Sequence, residues 1–177
     1  MLASHYASII FLRGYLDAQA KVRDIASAIT KNTKNVSAKE KEINAYKRAK
    51  TNEINAGKLD MNSCFMQNVM SEDAFKNCLG ENGQLDFKKM AENGLSQEYG
   101  KMWSQYQAVM QETIQQQLAA LEQEVEFLND QELEPLKQLG EDLQVDKNNA
   151  ELEVETTKAA YEATKKMAQE NTKNMWA

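Results

Sequence analysis

The stretch that decides the fold is residues 114–128, IQQQLAALEQEVEFL. Its apolar side chains are alternately four and three residues apart, the spacing of a coiled coil or of a long bundle helix. They are Ile114, Leu118, Leu121, Val125 and Leu128. The surrounding residues 102–175 contain one proline and one glycine. The sequence therefore predicts helix over nearly all of this segment.

A second apolar row with the same spacing lies near the start of the chain. Its members are Phe11, Tyr15, Ala18, Val22, Ile25 and Ile29. In residues 2–16, apolar residues occupy several sides of the predicted helix instead of a single row. A helix that is apolar on many sides is normally buried among several partners. This region is therefore either a core position of one bundle or a contact between subunits.

The N-terminal arm is predicted to comprise residues 1–56, in two helices. The first covers residues 2–33, because residues 31–36 are poor in helix formers. Ser37 and Glu40 match a capping box, which predicts a second helix over residues 38–56. Gly57 is expected to end that helix as a left-handed cap.

Residues 57–96 are predicted to form a small irregular insert that contains most of the glycines and methionines of the chain or has them at its edges. Ser71 and Asp86 each precede a short helical segment, and Gly80 and Gly94 are expected to end those segments. The apolar cluster at residues 61–70 is interpreted as packing beneath this insert, or as an adaptable surface for a partner.

The C-terminal arm, residues 97–177, is predicted to be broken or kinked near residues 129–135. Leu136 lies eight residues after Leu128 instead of seven, and Pro135 precedes it. Either the helix continues with a shift of phase, or the chain turns and a new helix begins. Equal lengths of the first helix and of residues 97–128 favour the hairpin, and a kinked rod is the alternative.

The last helix has a thinner apolar row and is expected to need a covering neighbour. The large members of this row and the two apolar residues at its tip are Leu136, Leu143, Val154, Tyr161, Met175 and Trp176. We expect residues 103–128 to meet the N-terminal helix of the same chain. Residues beyond Pro135 are the place where another chain is expected.

Composition predicts an all-α protein, an elongated antiparallel helical bundle or coiled coil with a small helical insert. The chain has 177 residues, a 42% apolar content, one proline and a net charge of −6. Residues 1–57 carry ten basic and five acidic side chains, whereas residues 102–177 carry six and fifteen. The basic N-terminal part can pack against the acidic C-terminal part, either within one chain or between two copies of it. Nucleic acid is not an expected partner, because the longest predicted helix is acidic.

The residues for most catalytic and metal chemistry are missing from the sequence. His5 is the only histidine, which excludes Cys-His and Ser-His catalysis, and it leaves too few ligands for zinc beside Cys64 and Cys78. Residues 75–90 have the outline of an EF-hand, but Lys89 occupies the position where calcium needs a bidentate carboxylate. The sequence thus predicts no enzyme, no cofactor and no metal site.

The layout of two helical arms around a small insert is similar to that of flagellin-like and other type III-exported filament subunits. The likeness concerns architecture along the whole chain and implies a self-assembling subunit. We found no cleavable signal and no apolar run of the about 20 residues that a membrane span needs. The expected location is the cytoplasm, or outside the cell after export without a cleaved signal.

The leading hypothesis from the sequence is a non-enzymatic structural protein that forms a homo-oligomer or filament through its helical arms. The alternative is a helical adaptor or chaperone-type module. Such a module would hold another protein through the insert or through the acidic C-terminal helix.

Overall fold

The computed structural model describes the backbone of residues 2–173 and the side chains of residues 5–173. Five α-helices and one π-helical turn follow one another in this described part of the chain. They are α1 (Leu2–Ser71), α2 (Asp73–Lys76), α3 (Phe87–Glu92), α4 (Ser96–Leu128), the π turn (Asn129–Leu133) and α5 (Glu134–Lys173). Within the described range no strand forms, and the only β-type pairing is an isolated bridge between Leu79 and Leu85. The prediction of an all-α helical bundle is confirmed.

The chain divides into two compact units, which are described in turn. Unit 1 comprises Met1–Lys41 and Asn129–Ala177, and unit 2 comprises Glu42–Leu128. The first part of α1 and the whole of α5 belong to unit 1. The rest of α1, the insert and α4 belong to unit 2.

The predicted break after residue 33 and the predicted stop at Gly57 are both wrong, because α1 is helical from Leu2 to Ser71. The apolar row continues in phase through the expected break, with Asn32 and Val36 at the next two positions after Ile29. Asn32 is buried, so packing outweighs the weak helix propensity of this segment. Gly57 has no left-handed conformation and lies in the helix interior.

The hairpin favoured at Pro135 is also wrong. Helical backbone continues from α4 through the π turn into α5. A π turn holds one residue more than the corresponding α-helical turn, which accounts for the eight-residue step from Leu128 to Leu136. The alternative of a helix that continues with a shift of phase is therefore the correct one. The π turn ends at Leu133, two residues before Pro135, which lacks the N–H that an α-helix interior requires.

Unit 1 is an antiparallel pair formed by α1 and α5. Lys21 Nζ lies 2.9 Å from Glu153 Oε2, and Lys39 Nζ lies 2.9 Å from Glu132 Oε2, which belongs to the π turn. Partner numbers fall as numbers along α1 rise, which defines the antiparallel direction. The last helix therefore pairs with the N-terminal helix of its own chain. We had expected residues 103–128 in that position, and this expectation is wrong.

Unit 2 packs the remainder of α1 and α4 around the insert. Its buried cluster consists of Val69, Phe75, Cys78, Leu85 and Met90. Phe65, Met66 and Met70 are partly buried and pack against this cluster, as the sequence indicated. Cys64 is exposed and Cys78 is buried, and both thiols are free.

The ends of the insert helices were predicted in part. Asp86 caps α3, because its side chain accepts hydrogen bonds from the backbone N–H groups of Lys88 and Lys89. Gly94 follows α3 with a φ of 70°. However, α2 covers only Asp73–Lys76, and the non-helical part of the insert begins after Ser71 instead of at residue 57.

We expect Gly57→Ala to raise the free energy of unfolding by up to about 1 kcal/mol, since glycine weakens a helix interior by roughly that amount. A Cβ at Gly57 meets no atom within 4 Å. Gly140→Ala is the matched comparison, because there a Cβ would lie 3.0 Å from Asn32 Nδ2 and offset the gain. Urea denaturation followed by circular dichroism measures both. Equal gains in the two variants would contradict the close contact at Gly140.

Candidate protein-protein interface

The packing residues predicted from the sequence are divided between the two units. Those of α1 and α5 lie in unit 1, and those of α4 lie in unit 2. Leu121 is buried, whereas Phe11 and Leu118 are exposed. The half-buried members are Tyr15, Val22, Ile25, Ile29, Ile114, Val125, Leu128, Leu136, Leu143, Val154 and Tyr161. Met175 and Trp176 lie outside the described residues.

The fully buried side chains between α1 and α5 are mostly small or polar, and the large apolar side chains of the predicted rows are at most half-buried. Among the described side chains of unit 1, the buried ones are Ala18, Asn32, Leu133, Ala150 and Ala168. Alanine allows helices to approach closely but contributes little hydrophobic free energy. One helix pair therefore has few large side chains in its interior, and several large apolar side chains remain on its surface.

Asn32 is the polar member of this contact, and it was not among the packing residues predicted from the sequence. Its Nδ2 donates a hydrogen bond of 2.7 Å to the carbonyl oxygen of Leu136. Its Oδ1 is buried without a hydrogen-bond partner. A buried asparagine between helices costs stability and specifies the register. The available signal was its position, since Asn32 follows Ile29 by three residues and precedes Val36 by four.

Charge also favours the pairing of α1 with α5. Residues 2–41 carry seven basic and three acidic side chains, whereas residues 129–173 carry six and eleven. The charge gradient of the sequence is thus partly matched inside unit 1. Lys21 and Glu153 are each at least half exposed, and such a pair contributes less than about 1 kcal/mol. The ion pairs therefore favour this pairing without holding it together.

The first turns of α1 carry an exposed set of large apolar side chains, which we call the apolar belt. Its members and their exposed fractions are Tyr6 69%, Ile9 64%, Ile10 56%, Phe11 39% and Leu16 51%. They fall within eleven residues that contain a single charged side chain, Arg13. Because these positions point to several sides of the helix, α5 alone cannot cover them.

An open groove adjoins the apolar belt inside unit 1. Its volume is about 910 Å³, and its walls come from the start of α1 and the end of α5. Ile9, Tyr161 and Ala168 supply apolar lining, and Lys165 lies 5.9 Å from the ring centre of Tyr161. A concave apolar surface beside exposed apolar side chains is typical of a site where another protein binds.

An aromatic cluster joins α1 to α4 in unit 2. The ring centre of Phe65 lies 4.5 Å from that of Tyr106, 5.2 Å from that of Trp103 and 6.2 Å from that of Tyr99. The Tyr106 hydroxyl donates to Asn62 Oδ1 at 2.8 Å. Burial raises the pKa of Tyr99 above its ordinary value. Close aromatic pairs and a satisfied hydroxyl indicate a structural joint.

A second groove, with a volume of about 500 Å³, lies on unit 2. Met66, Met70 and Leu85 contribute to its lining, together with Phe87, which is 61% exposed. Methionine side chains adapt to different shapes, which suits a surface that binds proteins. This groove is the part of the insert that an adaptor could use.

In the EF-hand-like segment, residues 75–90, the ammonium group of Lys89 supplies a positive charge to the loop. Gly83 adopts a φ of 74°, and a bridge joins Leu79 to Leu85. Lys89 Nζ donates a hydrogen bond of 2.8 Å to the carbonyl oxygen of Leu79. The Asp86 carboxylate is used as the cap of α3. These side chains therefore stabilise the loop directly.

Two further properties of the described residues bear on metal binding and on membranes. No three of their His, Cys, Asp or Glu side chains come together in an arrangement that could hold a metal ion. None of their helices has both the length and the apolar character that crossing a bilayer requires.

Comparison with models of protein families finds no match, and neither curated proteins nor solved structures show a significant similarity to this chain.

We expect Asn32→Leu to raise the free energy of unfolding by about 1 kcal/mol. The substitution removes a buried oxygen that lacks a partner and adds apolar burial, which together outweigh one lost hydrogen bond. Asn35→Leu, at an exposed position of the same helix, is the control and should change stability little. Urea denaturation measures both. A loss above 1 kcal/mol in Asn32→Leu would show that the bond to Leu136 contributes more than the unpaired oxygen costs.

Proposed function

We propose that this chain is a non-enzymatic structural protein that assembles with copies of itself through its helical arms. The apolar belt is the observation that carries the proposal. Covering a large apolar side chain contributes about 1.5–3 kcal/mol. Five such side chains in one short segment can offset the cost of association, which is at least about 4 kcal/mol.

Two properties of unit 1 support assembly through helices in particular. The contact between α1 and α5 contains few large side chains, so further helices can add the burial that one pair lacks. Both helices also keep a regular alternation of four and three residues, which is the pattern that packs against further helices. A coiled-coil oligomer or filament meets both requirements, and such a subunit would act in the cytoplasm or after export.

The test is the molar mass in solution, measured by light scattering after size-exclusion chromatography and supported by negative-stain microscopy. We expect oligomers or filaments whose size depends on protein concentration. A monodisperse monomer at every protein and salt concentration would refute the proposal.

We expect Ile9→Glu to lower the molar mass, since a carboxylate in the apolar belt would lose its water on association. Val109→Glu is the matched control, because Val109 and Ile9 are both 64% exposed and Val109 lies in unit 2. Circular dichroism checks that both variants remain helical. Equal effects in the two variants would show that the apolar belt is not the assembly surface.

The groove of unit 2 favours a second candidate, a binding module for a partner protein. The apolar dye ANS is a suitable probe of this groove. Phe87→Ser should weaken dye binding, whereas Leu59→Ser, at a residue that is 67% exposed and does not line the groove, should not. Equal dye binding in both variants would remove the support for this candidate.

A further inference from the structure

The insert contains the sequence Glu-Asn-Gly twice, at residues 81–83 and at residues 92–94. In such a sequence the backbone nitrogen of the glycine can attack the side-chain amide carbon of the asparagine, since glycine has no side chain to obstruct the approach. All six residues are exposed, and both glycines have a positive φ, 74° at Gly83 and 70° at Gly94. The two sites have the same local chemistry, so a difference between them must come from their surroundings.

The amide of Asn93 is held by its nitrogen, which is the leaving group in this reaction. Its Nδ2 donates to the carbonyl oxygen of Lys89 at 2.9 Å and to Cys78 Sγ at 3.5 Å. The turn that follows is closed by the backbone N–H of Leu95, which donates to the carbonyl oxygen of Met90 at 2.9 Å. Cys78 and Met90 both belong to the buried cluster of unit 2. Freeing this amide therefore disturbs buried packing, which makes the required opening rare.

The amide of Asn82 is held by its oxygen instead. Its Oδ1 accepts a hydrogen bond of 3.1 Å from the backbone N–H of Gln84. Negative charge develops on this oxygen when the amide carbon is attacked, and a backbone N–H that is already bonded to it stabilises that charge. The leaving nitrogen, Nδ2, donates at 3.3 Å to Oε1 of the exposed Gln84 side chain, which can move aside easily.

The hydrogen bonds of the attacking nitrogens are alike at the two sites. The N–H of Gly83 donates to the carbonyl oxygen of Gly80 at 3.0 Å, and that of Gly94 donates to the carbonyl oxygen of Ala91 at 3.1 Å. Either bond must open before attack, so local opening contributes to the rate at both sites. The surroundings of the two amides therefore decide between the sites, and they favour Asn82.

We propose that Asn82 is a site of self-modification, at which the chain converts its own asparagine into aspartate and isoaspartate. The nitrogen of Gly83 forms a bond to Asn82 Cγ, the bond from Cγ to Nδ2 breaks, and ammonia leaves with the proton that Gly83 loses. Water then opens the resulting cyclic imide at one of its two carbonyl carbons, which gives aspartate or isoaspartate. Water is the only other reactant.

The modification changes one wall of the groove of unit 2, to which Gln84, Leu85 and Phe87 contribute. Either product adds a negative charge beside this wall, and isoaspartate also lengthens the backbone by one carbon. The longer backbone must fit into the short loop between the bridged residues Leu79 and Leu85. The shape and charge of the groove are therefore expected to change as the protein ages. This inference is independent of the proposed self-assembly.

Peptide mapping by mass spectrometry tests the proposal in the full chain, because it measures conversion separately at each site after incubation in neutral buffer. We expect Asn82 to convert several-fold faster than Asn93 in the folded protein. In urea the two rates should become similar, since both asparagines stand between glutamate and glycine. Asn82→Gln is the control, because its longer side chain would have to form a larger ring. This variant should lack the acidic species that isoelectric focusing detects in the aged protein.

Equal conversion at the two sites of the folded chain, or faster conversion at Asn93, would overturn the proposal. Conversion of Asn82 in urea but not in the folded chain would also overturn it, since the loop would then protect the amide. An acidic species that persists in aged Asn82→Gln would place the modification elsewhere.

Discussion

The hydrogen bond from Asn32 to the carbonyl oxygen of Leu136 is the constraint that sets the register of unit 1. Alanine-rich helix faces can slide past each other at small energetic cost, because neighbouring positions have similar shapes. A buried amide that reaches one particular carbonyl removes that freedom. Gly140 leaves the space that the amide needs. The ion pairs Lys21–Glu153 and Lys39–Glu132 form in the same register.

Long-range periodicity predicted the helices better than local signals did. The all-α class, the spacing of the apolar rows and the cap at Asp86 follow directly from the sequence. The break after residue 33 and the stop at Gly57 came from local propensity, which is worth only about 1 kcal/mol or less per residue. The free energy of packing along α1 outweighs these local helix propensities. The eight-residue step at Pro135 was a correct observation with two solutions, and only the structure distinguishes a π turn from a hairpin.

The interface was predicted less completely than the fold. The widening of the apolar row in residues 2–16 is visible in the sequence, and the apolar belt lies there. The partner of α5 was predicted wrongly, since its thin apolar row indicated that the covering helix would come from another chain. Asn32 specifies the register of that pairing but does not add to its stability.

The loop closed by Lys89 has a consequence for how unit 2 responds to its surroundings. A calcium loop is a sensor because its cation can leave, so its shape follows the concentration of the ion. Here the positive charge is attached to the chain, and it reaches the carbonyl oxygen of Leu79 at 2.8 Å. Its local concentration cannot be changed by chelators or by an ionic signal. The loop therefore resembles a calcium switch in outline, but its cation is a covalently attached side chain that holds one conformation.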